Sequence, residues 1–555
     1  MLRGIRSGLL FFTVASLLFA RDPVRFHKAM VVAQEPNAAD VGREVLKAGG
    51  NAVDAAVAVA FALAVTYPSA GNLGGGGFLL FRMADGRTGF IDFRERAPLV
   101  STRNMYLDSA GNPTRDSVLG WRAAGVPGTA RGLELAHQRY GSKPWAKLVE
   151  PSVKLARKGF EITDFAARGF HEAKNLPQFP ESKRIFLKNG AYFEMGDKLV
   201  QPELAGVLSR IAKHGARDFY EGETARILAE QCKLNGGLIT LEDLKAYKAI
   251  ERPVLKGAYK GYEVITAPPP SSGGLGILQM MAVLEPTGYE KAGAGSAKAI
   301  HFVAETMRRY YADRAEHLGD PDFVKVPVRG MLDPAYVDRI RASIDPDHAS
   351  PSASVKPGKP APSEPTETTH LSIVDERGNA VALTYTINGS YGNGVTVPKL
   401  GFLLNNEMDD FAVKPGVPNM FQLVQGEANA IQPKKTPLSS MTPTMLVKDG
   451  QLRMVVGAPG GSRIITGVMQ VILNVVDFGM NIQDAIDAPR FHHQWLPDKL
   501  YLERGFSPDT IALLKQRGHE IDAAETVANV NGIVISDGWL SGAWDGRRDG
   551  KVAGY

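Results

Sequence analysis

The sequence has a single cysteine, Cys232, in 555 residues. One thiol cannot close a disulfide within the chain, and no cysteine cluster offers the ligand set of structural zinc or of an iron–sulfur centre. His492 and His493 are adjacent rather than four apart, a poor pair for a metal, and read as structural. After the first twenty residues no stretch reaches 18 apolar residues, so no later segment reads as a membrane-spanning helix. A dominant sign of charge is also missing. Lys+Arg number 64 against 59 Asp+Glu, a net charge of +5, with no dense basic run. That balance argues against a nucleic-acid partner. What is present is ordinary globular composition, 44% hydrophobic and 22% charged, in a chain long enough to stand on core packing without cross-links.

The start, "MLRGIRSGLLFFTVASLLFA", has Arg3 and Arg6 before an apolar run from Leu9 to Ala20. That run is short for a bilayer span and fits a secretory signal peptide, residues 1–20, with a periplasmic or secreted product and no stable membrane span. Residues 38–66 repeat Ala, Val and Leu at helical spacing, interrupted by "AGGN", and predict two closely packed small-residue helices. "NLGGGGFLLFRMADGRTGFIDFRERAP" predicts a glycine turn and a hairpin of two strands ending near Phe93. "NLGGGGF" lacks the Lys-Ser/Thr ending of a phosphate-binding loop and reads as close backbone packing. Helical patterns dominate 128–235. "YKGYEVITAPPPSSGGLGILQMMAVLE" predicts strand, loop and helix. Residues 348–366 read as a linker, followed by strands at 369–376 and 379–388, a second hairpin around Asp449-Gly450, and a helix from "ITGVMQVILNVVDF". Strands fall on both sides of the linker, so it is not read as a domain boundary; interleaved strands and helices predict one layered α+β body.

The linker ends at "PTETTHLSIV". A threonine hydroxyl is a weak nucleophile until a base removes its proton, and an N-terminal threonine can use its own α-amine. With an unperturbed pKa of roughly 7.7–8.0, that amine is partly free base near neutral pH. The device needs a new N-terminus in mid-chain, and a tether running into a strand-opening threonine suits such a cut. A surface linker leading into a Thr-bearing strand fits the same residues.

"TTHLSIVDERGNAVALTYTINGSYG", Thr368 to Gly392, resembles the signature of the γ-glutamyltransferase family. "NLGGGGF", "DFRERAP", "LLNNEMDDF", "PLSSMTPT", "GAPGGSRIIT", "APRFHHQWLP" and the terminal "AGY" agree in order, so the resemblance runs from about residue 28 to 555 and is close to bacterial periplasmic members. It implies an N-terminal nucleophile hydrolase with an αββα four-layer sandwich. The chain would be cut at Glu367–Thr368 into a large fragment (21–367) and a small one (368–555) that remain together as a heterodimer. The implied reaction is ping-pong transfer of a γ-glutamyl group from glutathione or related amides to water, an amino acid or a peptide, with no metal or organic cofactor.

The resemblance assigns Thr368 as nucleophile and Thr386 as the threonine that hydrogen-bonds it. Gly460 and Gly461 match the oxyanion pair, where glycine lets backbone N–H groups come close. Arg94 matches the binder of the substrate carboxylate, a task suited to the guanidinium fork, with Ser439 and Ser440 as hydroxyl donors. Asp410 matches the ammonium acceptor, assisted by Asn388 and Glu407; some relatives carry Gln at the latter position. Thr384 reads as a plain strand residue, and Asp409 and Arg96 as surface or structural charges. Pro415 to Ala430 resembles a lid loop, with Phe421 where several members have Tyr, which removes a hydroxyl from any latch. His370 is a rival base, since strand alternation puts it on the face of Thr368. Two alternatives stand beside this reading: an acylase of the same superfamily acting on glutaryl β-lactams, and a non-catalytic binding homologue.

Overall fold

A computed structural model of the chain describes residues 21–358 and 369–555. The expected leader, 1–20, and the expected cleavage pair Glu367 and Thr368 lie outside the described residues. Two seven-stranded sheets organise the body, and every neighbouring pair of strands in them is antiparallel. The first runs Lys551–Gly554, Met30–Ala33, Thr369–Val374, Ala380–Thr386, Gly76–Arg82, Thr88–Asp92, Ile250–Arg252. The second runs Val24–Phe26, Trp539–Ala543, Asn531–Ser536, Gln451–Gly457, Thr444–Lys448, Tyr262–Thr266, Leu255–Tyr259.

Strand alternation turns these sheets into four layers. On Ala380–Thr386, Val381, Leu383 and Tyr385 join the core under the helices Pro36–Lys47 and Ala52–Thr66. Ala380 and Ala382 face the other way, into a core shared with Met445, Val455 and Ile533 of the second sheet. The far face of the second sheet packs on the helices Gly273–Leu284, Ala297–His317 and Arg463–Val476. Helix, sheet, sheet, helix is the expected αββα order. Every residue of Ala52–Thr66 is buried; its alanines and valines let the neighbouring helices approach closely. Asn51 and Asp54 form a capping box that fixes its start.

Two expectations need correction. The helical region 128–235 also contains the hairpin Leu187–Lys188 and Ala191–Tyr192. Asn189 and Gly190 both have positive φ there, the turn chemistry that closes a two-residue hairpin. The described part of the linker, 348–358, is not a free tether. Ser352 is buried, receives the Arg308 guanidinium at 2.5 Å and donates its N–H to Asp498 at 2.6 Å. Gly358 donates to Asp313 at 2.8 Å, and its carbonyl lies 2.8 Å from His317 Nε2. Pro/Ser/Lys composition hid this, because the anchoring charges come from distant elements. Among the described residues no helix is long and apolar enough to cross a membrane.

Candidate active site

The ends of three strands converge. In the first sheet Thr369 lies opposite Tyr385 and His370 opposite Thr384. From the second sheet Gly457 comes so close to the His370 ring that a Cβ there would sit 2.4 Å from it. The Gly-rich turn packs backbone on backbone as expected: a Cβ on Gly75 would stand 1.9 Å from the Thr386 carbonyl oxygen.

Thr386 Oγ1 accepts the Asn388 N–H at 2.7 Å. Asn388 adopts φ 69° and donates its side-chain amide to the Asn406 carbonyl at 2.9 Å, while its Oδ1 is buried without a partner. That bond ties the strand end to the turn Glu407–Asp410. Here Arg94, fully buried, pairs with both Glu407 and Asp410. Glu95, also fully buried, lies 3.6 Å from Arg94. Pro437 O accepts from Arg94 Nε at 3.3 Å, and Asn429 spans Asp410 O (2.6 Å) and Leu438 N (3.4 Å). The cage is thus joined to the turn that carries Ser439 and Ser440.

Its electrostatics are lopsided. One guanidinium faces three carboxyls in a place with no exposure. Burial, then repulsion from Glu407, holds the Glu95 and Asp410 carboxyls well above their usual range, and burial raises Glu407 as well. Neither oxygen of Glu95 nor Oδ1 of Asp410 has a hydrogen-bond donor, whereas Glu407 meets the Arg94 guanidinium. A cluster that is short of cations and donors fits a ligand that brings an ammonium group.

Ser439 and Ser440 are buried and braced by residues that precede the linker. Ser439 O accepts from Ser272 N at 2.7 Å and Ser272 Oγ at 2.8 Å; Ser440 Oγ accepts from Arg314 at 2.9 Å. Gly460 (φ 140°) and Gly461 (φ 61°) precede the helix Arg463–Val476. A Cβ on Gly460 would sit 2.6 Å from Ala528 Cα, so glycine is required there. The helix N-terminus adds a partial positive charge beside this glycine pair.

The structure therefore brings Arg94, Asn388, Glu407, Asp410, Ser439, Ser440 and Thr386 into one connected region. Sequence reasoning missed Glu95, Ser272 and Arg314, which carry no local signal beyond their type. Asp409 is structural, as expected, but not on the surface: it is 4% exposed. Its Oδ2 accepts the Met420 N–H at 3.1 Å and its Oδ1 the Ser117 hydroxyl at 2.9 Å. Asp409 thereby pins the lid-like loop. On the other side Gln494 Nε2 donates to the carbonyls of Phe421 and Gln422, both at 3.3 Å. Backbone contacts thus hold the loop at Phe421 without a side-chain hydroxyl there.

His370 and Thr384 are partners. His370 Nδ1 lies 2.9 Å from Thr384 Oγ1 and Nε2 lies 3.0 Å from Ser372 Oγ. Burial pushes the imidazole down to about 3, so it stays neutral near pH 7. His492 and His493 are likewise buried and hydrogen-bonded, to Thr466, Gln494 and Asp498. For His370 the native state refuses a proton that the unfolded chain accepts between pH 6.5 and about 3. Its contribution is present above that window and is lost as pH falls through it, by about 1.4 kcal/mol per pH unit. His370→Asn should be less stable than wild type near pH 7, with the gap narrowing below pH 6.5 in urea unfolding. A gap that stays constant from pH 7 to 5 would contradict burial of a neutral imidazole. With the Thr368 α-amine as base, kcat/KM should rise through the neutral-to-mildly-alkaline range, and in the same variant that limb should persist, because His370 does not titrate there; loss of the limb in protein matured normally would make His370 the base.

The Gamma-glutamyltranspeptidase family model matches residues 38–555. The chain is 51% identical over 538 residues to the glutathione hydrolase proenzyme of Escherichia coli (strain K12), covering 96% of this chain and 93% of that protein. Among solved structures it is similar to the cephalosporin acylase from Bacillus halodurans, with a TM-score of 0.87, 27% identity and coverage of 98% and 99% of the two chains. It is also similar to the γ-glutamyltranspeptidase of Helicobacter pylori, with a TM-score of 0.58, 44% identity and coverage of 59% of this chain and 94% of that one. The αββα body is that of an N-terminal nucleophile hydrolase, and the chain belongs to the γ-glutamyltranspeptidase family.

Proposed function

We propose that this chain is a self-processing γ-glutamyltransferase that acts on glutathione and related γ-glutamyl amides. The observation that carries the reading is the buried cage of one arginine and three carboxyls beside two buried serines. An α-amino acid head group fits it: its carboxylate takes Arg94, Ser439 and Ser440, and its ammonium takes Asp410, Glu407 and Asn388. In this scheme the Arg94–Asp410 pair opens when the zwitterion enters.

The first reaction is internal. Thr368 Oγ attacks the Glu367 carbonyl, the C–N bond gives way to an ester, and water hydrolyses that ester to leave a Glu367 carboxylate and a free Thr368 amine. The second reaction is the acyl transfer. The Thr368 hydroxyl attacks the γ-carbonyl carbon while its α-amine takes the proton. Gly460 and Gly461 N–H groups receive the oxyanion. Collapse breaks the amide C–N bond, and the proton passes from the ammonium to the leaving amine. Water or an acceptor amine then attacks the ester and returns the proton to Thr368 Oγ. Two fragments held as a heterodimer, and export by the leader to the periplasm, complete the proposal.

The cephalosporin acylase likeness favours examining a second donor, a glutaryl amide. It brings the carboxylate but no ammonium, and so leaves Asp410 and Glu407 unmatched. Wild type should use glutathione at least about a hundredfold better by kcat/KM, the scale of a lost charged hydrogen bond in a buried site. Equal or better use of the glutaryl amide would overturn the γ-glutamyl assignment.

A further inference from the structure

One helix, Ala297–His317, holds both the serine turn and the glycine turn. Tyr311 and Arg314 are three apart on it, hence neighbours on its surface, and each is only 1% exposed. The Arg314 guanidinium lies 5.3 Å from the centroid of the Tyr311 ring, a contact that gains strength where both groups are out of water. From this pair the hydrogen bonds diverge. Arg314 Nη2 donates to Ser440 Oγ at 2.9 Å and Nε to Ser272 Oγ at 3.3 Å. Tyr310 donates its hydroxyl to the Ser272 carbonyl at 2.7 Å. The Tyr311 hydroxyl donates to the carbonyl of Ser462, the residue directly after Gly460 and Gly461.

A serine hydroxyl has one proton to give and accepts through its lone pairs. Ser440 Oγ accepts from Arg314, and Ser439 Oγ accepts from Met441 N at 3.1 Å. Among the described residues neither hydroxyl gives its own proton to an acceptor. A bond from a cation polarises the Ser440 hydroxyl and turns its proton away from the guanidinium, the polarity a carboxylate needs. The glycine turn has a different requirement. Gly460 and Gly461 have φ 140° and 61°, and such flexible residues keep their N–H groups aimed only if the neighbouring backbone is held.

We propose that Arg314 and Tyr311 are positioning residues with separate duties: Arg314 presents the Ser440 hydroxyl as a donor to the substrate α-carboxylate and so carries donor specificity, and Tyr311 holds the Gly460–Gly461 turn for the transition state. The inference deepens the γ-glutamyl reading above and rests on it. Each residue acts through another, Arg314 on binding and Tyr311 on the chemical step.

Two donors with the same leaving group test this. A γ-glutamyl anilide carries the α-carboxylate; a 4-aminobutanoyl anilide keeps the ammonium, the chain and the scissile amide but has hydrogen in its place. In Arg314→Met the ratio of kcat/KM for the first donor to that for the second should fall about tenfold, the scale of one hydrogen bond, mainly through KM of the γ-glutamyl donor. Arg314→Lys keeps a donor but cannot span Ser272 and Ser440 as the fork does, and its ratio should lie between wild type and Arg314→Met. In Tyr311→Phe kcat should fall about tenfold for both donors, with the ratio and both KM values near wild type. An Arg314→Met protein that matures with a wild-type ratio, or loses both donors equally, overturns the proposal. Should it not mature, Arg314→Lys carries the same readout, and a wild-type ratio there overturns the proposal too. Tyr311→Phe with wild-type kcat, or with the ratio lost as in Arg314→Met, overturns the second duty, as does its failure to mature, which would place the hold in folding rather than in catalysis. Equal use of the two donors by wild type would instead strike the γ-glutamyl reading itself, which separates the two failures.

Discussion

Thr368→Ala is expected to accumulate as one uncut chain with no measurable glutathione hydrolysis. In the proposed scheme the Thr368 hydroxyl attacks the Glu367 carbonyl; alanine lacks that hydroxyl, so the N→O shift cannot begin. Even a chain cut by other means would lack the acyl acceptor, and losing the nucleophile of such a site costs roughly four orders of magnitude or more in rate. Thr368→Ser keeps an oxygen and should cut, more slowly. A gel and intact mass check both variants. Cleavage of Thr368→Ala at this bond would sink the self-processing account.

The second large effect is at Arg94. Lysine keeps the positive charge among Glu95, Glu407 and Asp410 but gives up the planar fork that now reaches Glu407 and Asp410 together. Arg94→Lys should lower kcat/KM for glutathione by roughly a hundredfold, about 2.7 kcal/mol, mainly through KM. Self-cleavage needs no bound glutamate and should proceed, so the two fragments should still form. An unchanged kcat/KM would show that Arg94 does not hold the substrate carboxylate.

Much of the fold was legible because its signals are local. The small-residue helices, the Gly75 turn and the two Asp-Gly hairpins each announce themselves within a few residues. The site was legible mainly through motif resemblance, since Arg94, Asp410 and Ser439 lie far apart in sequence and meet only through the fold. What stayed hidden is of one kind. Ser352, Asp409, Glu95 and Arg314 owe their roles to partners contributed by remote elements, as when Asp498 captures Ser352 or Asp409 holds Met420. The charge of Asp409 suggested surface; a hydroxyl and a backbone N–H made burial tolerable. His370 shows the same effect, because alternation could not reveal that Thr384 and Ser372 occupy both ring nitrogens.

The central claim is that Thr368 becomes an N-terminus and then carries the γ-glutamyl group. The most direct measurement is mass spectrometry of purified wild-type protein, mixed briefly with glutathione and quenched in acid. The expected result is two fragments, the smaller beginning at Thr368, with a γ-glutamyl adduct on that first residue. A single intact chain that hydrolyses glutathione, or a mature fragment whose adduct sits on another residue, would contradict the account.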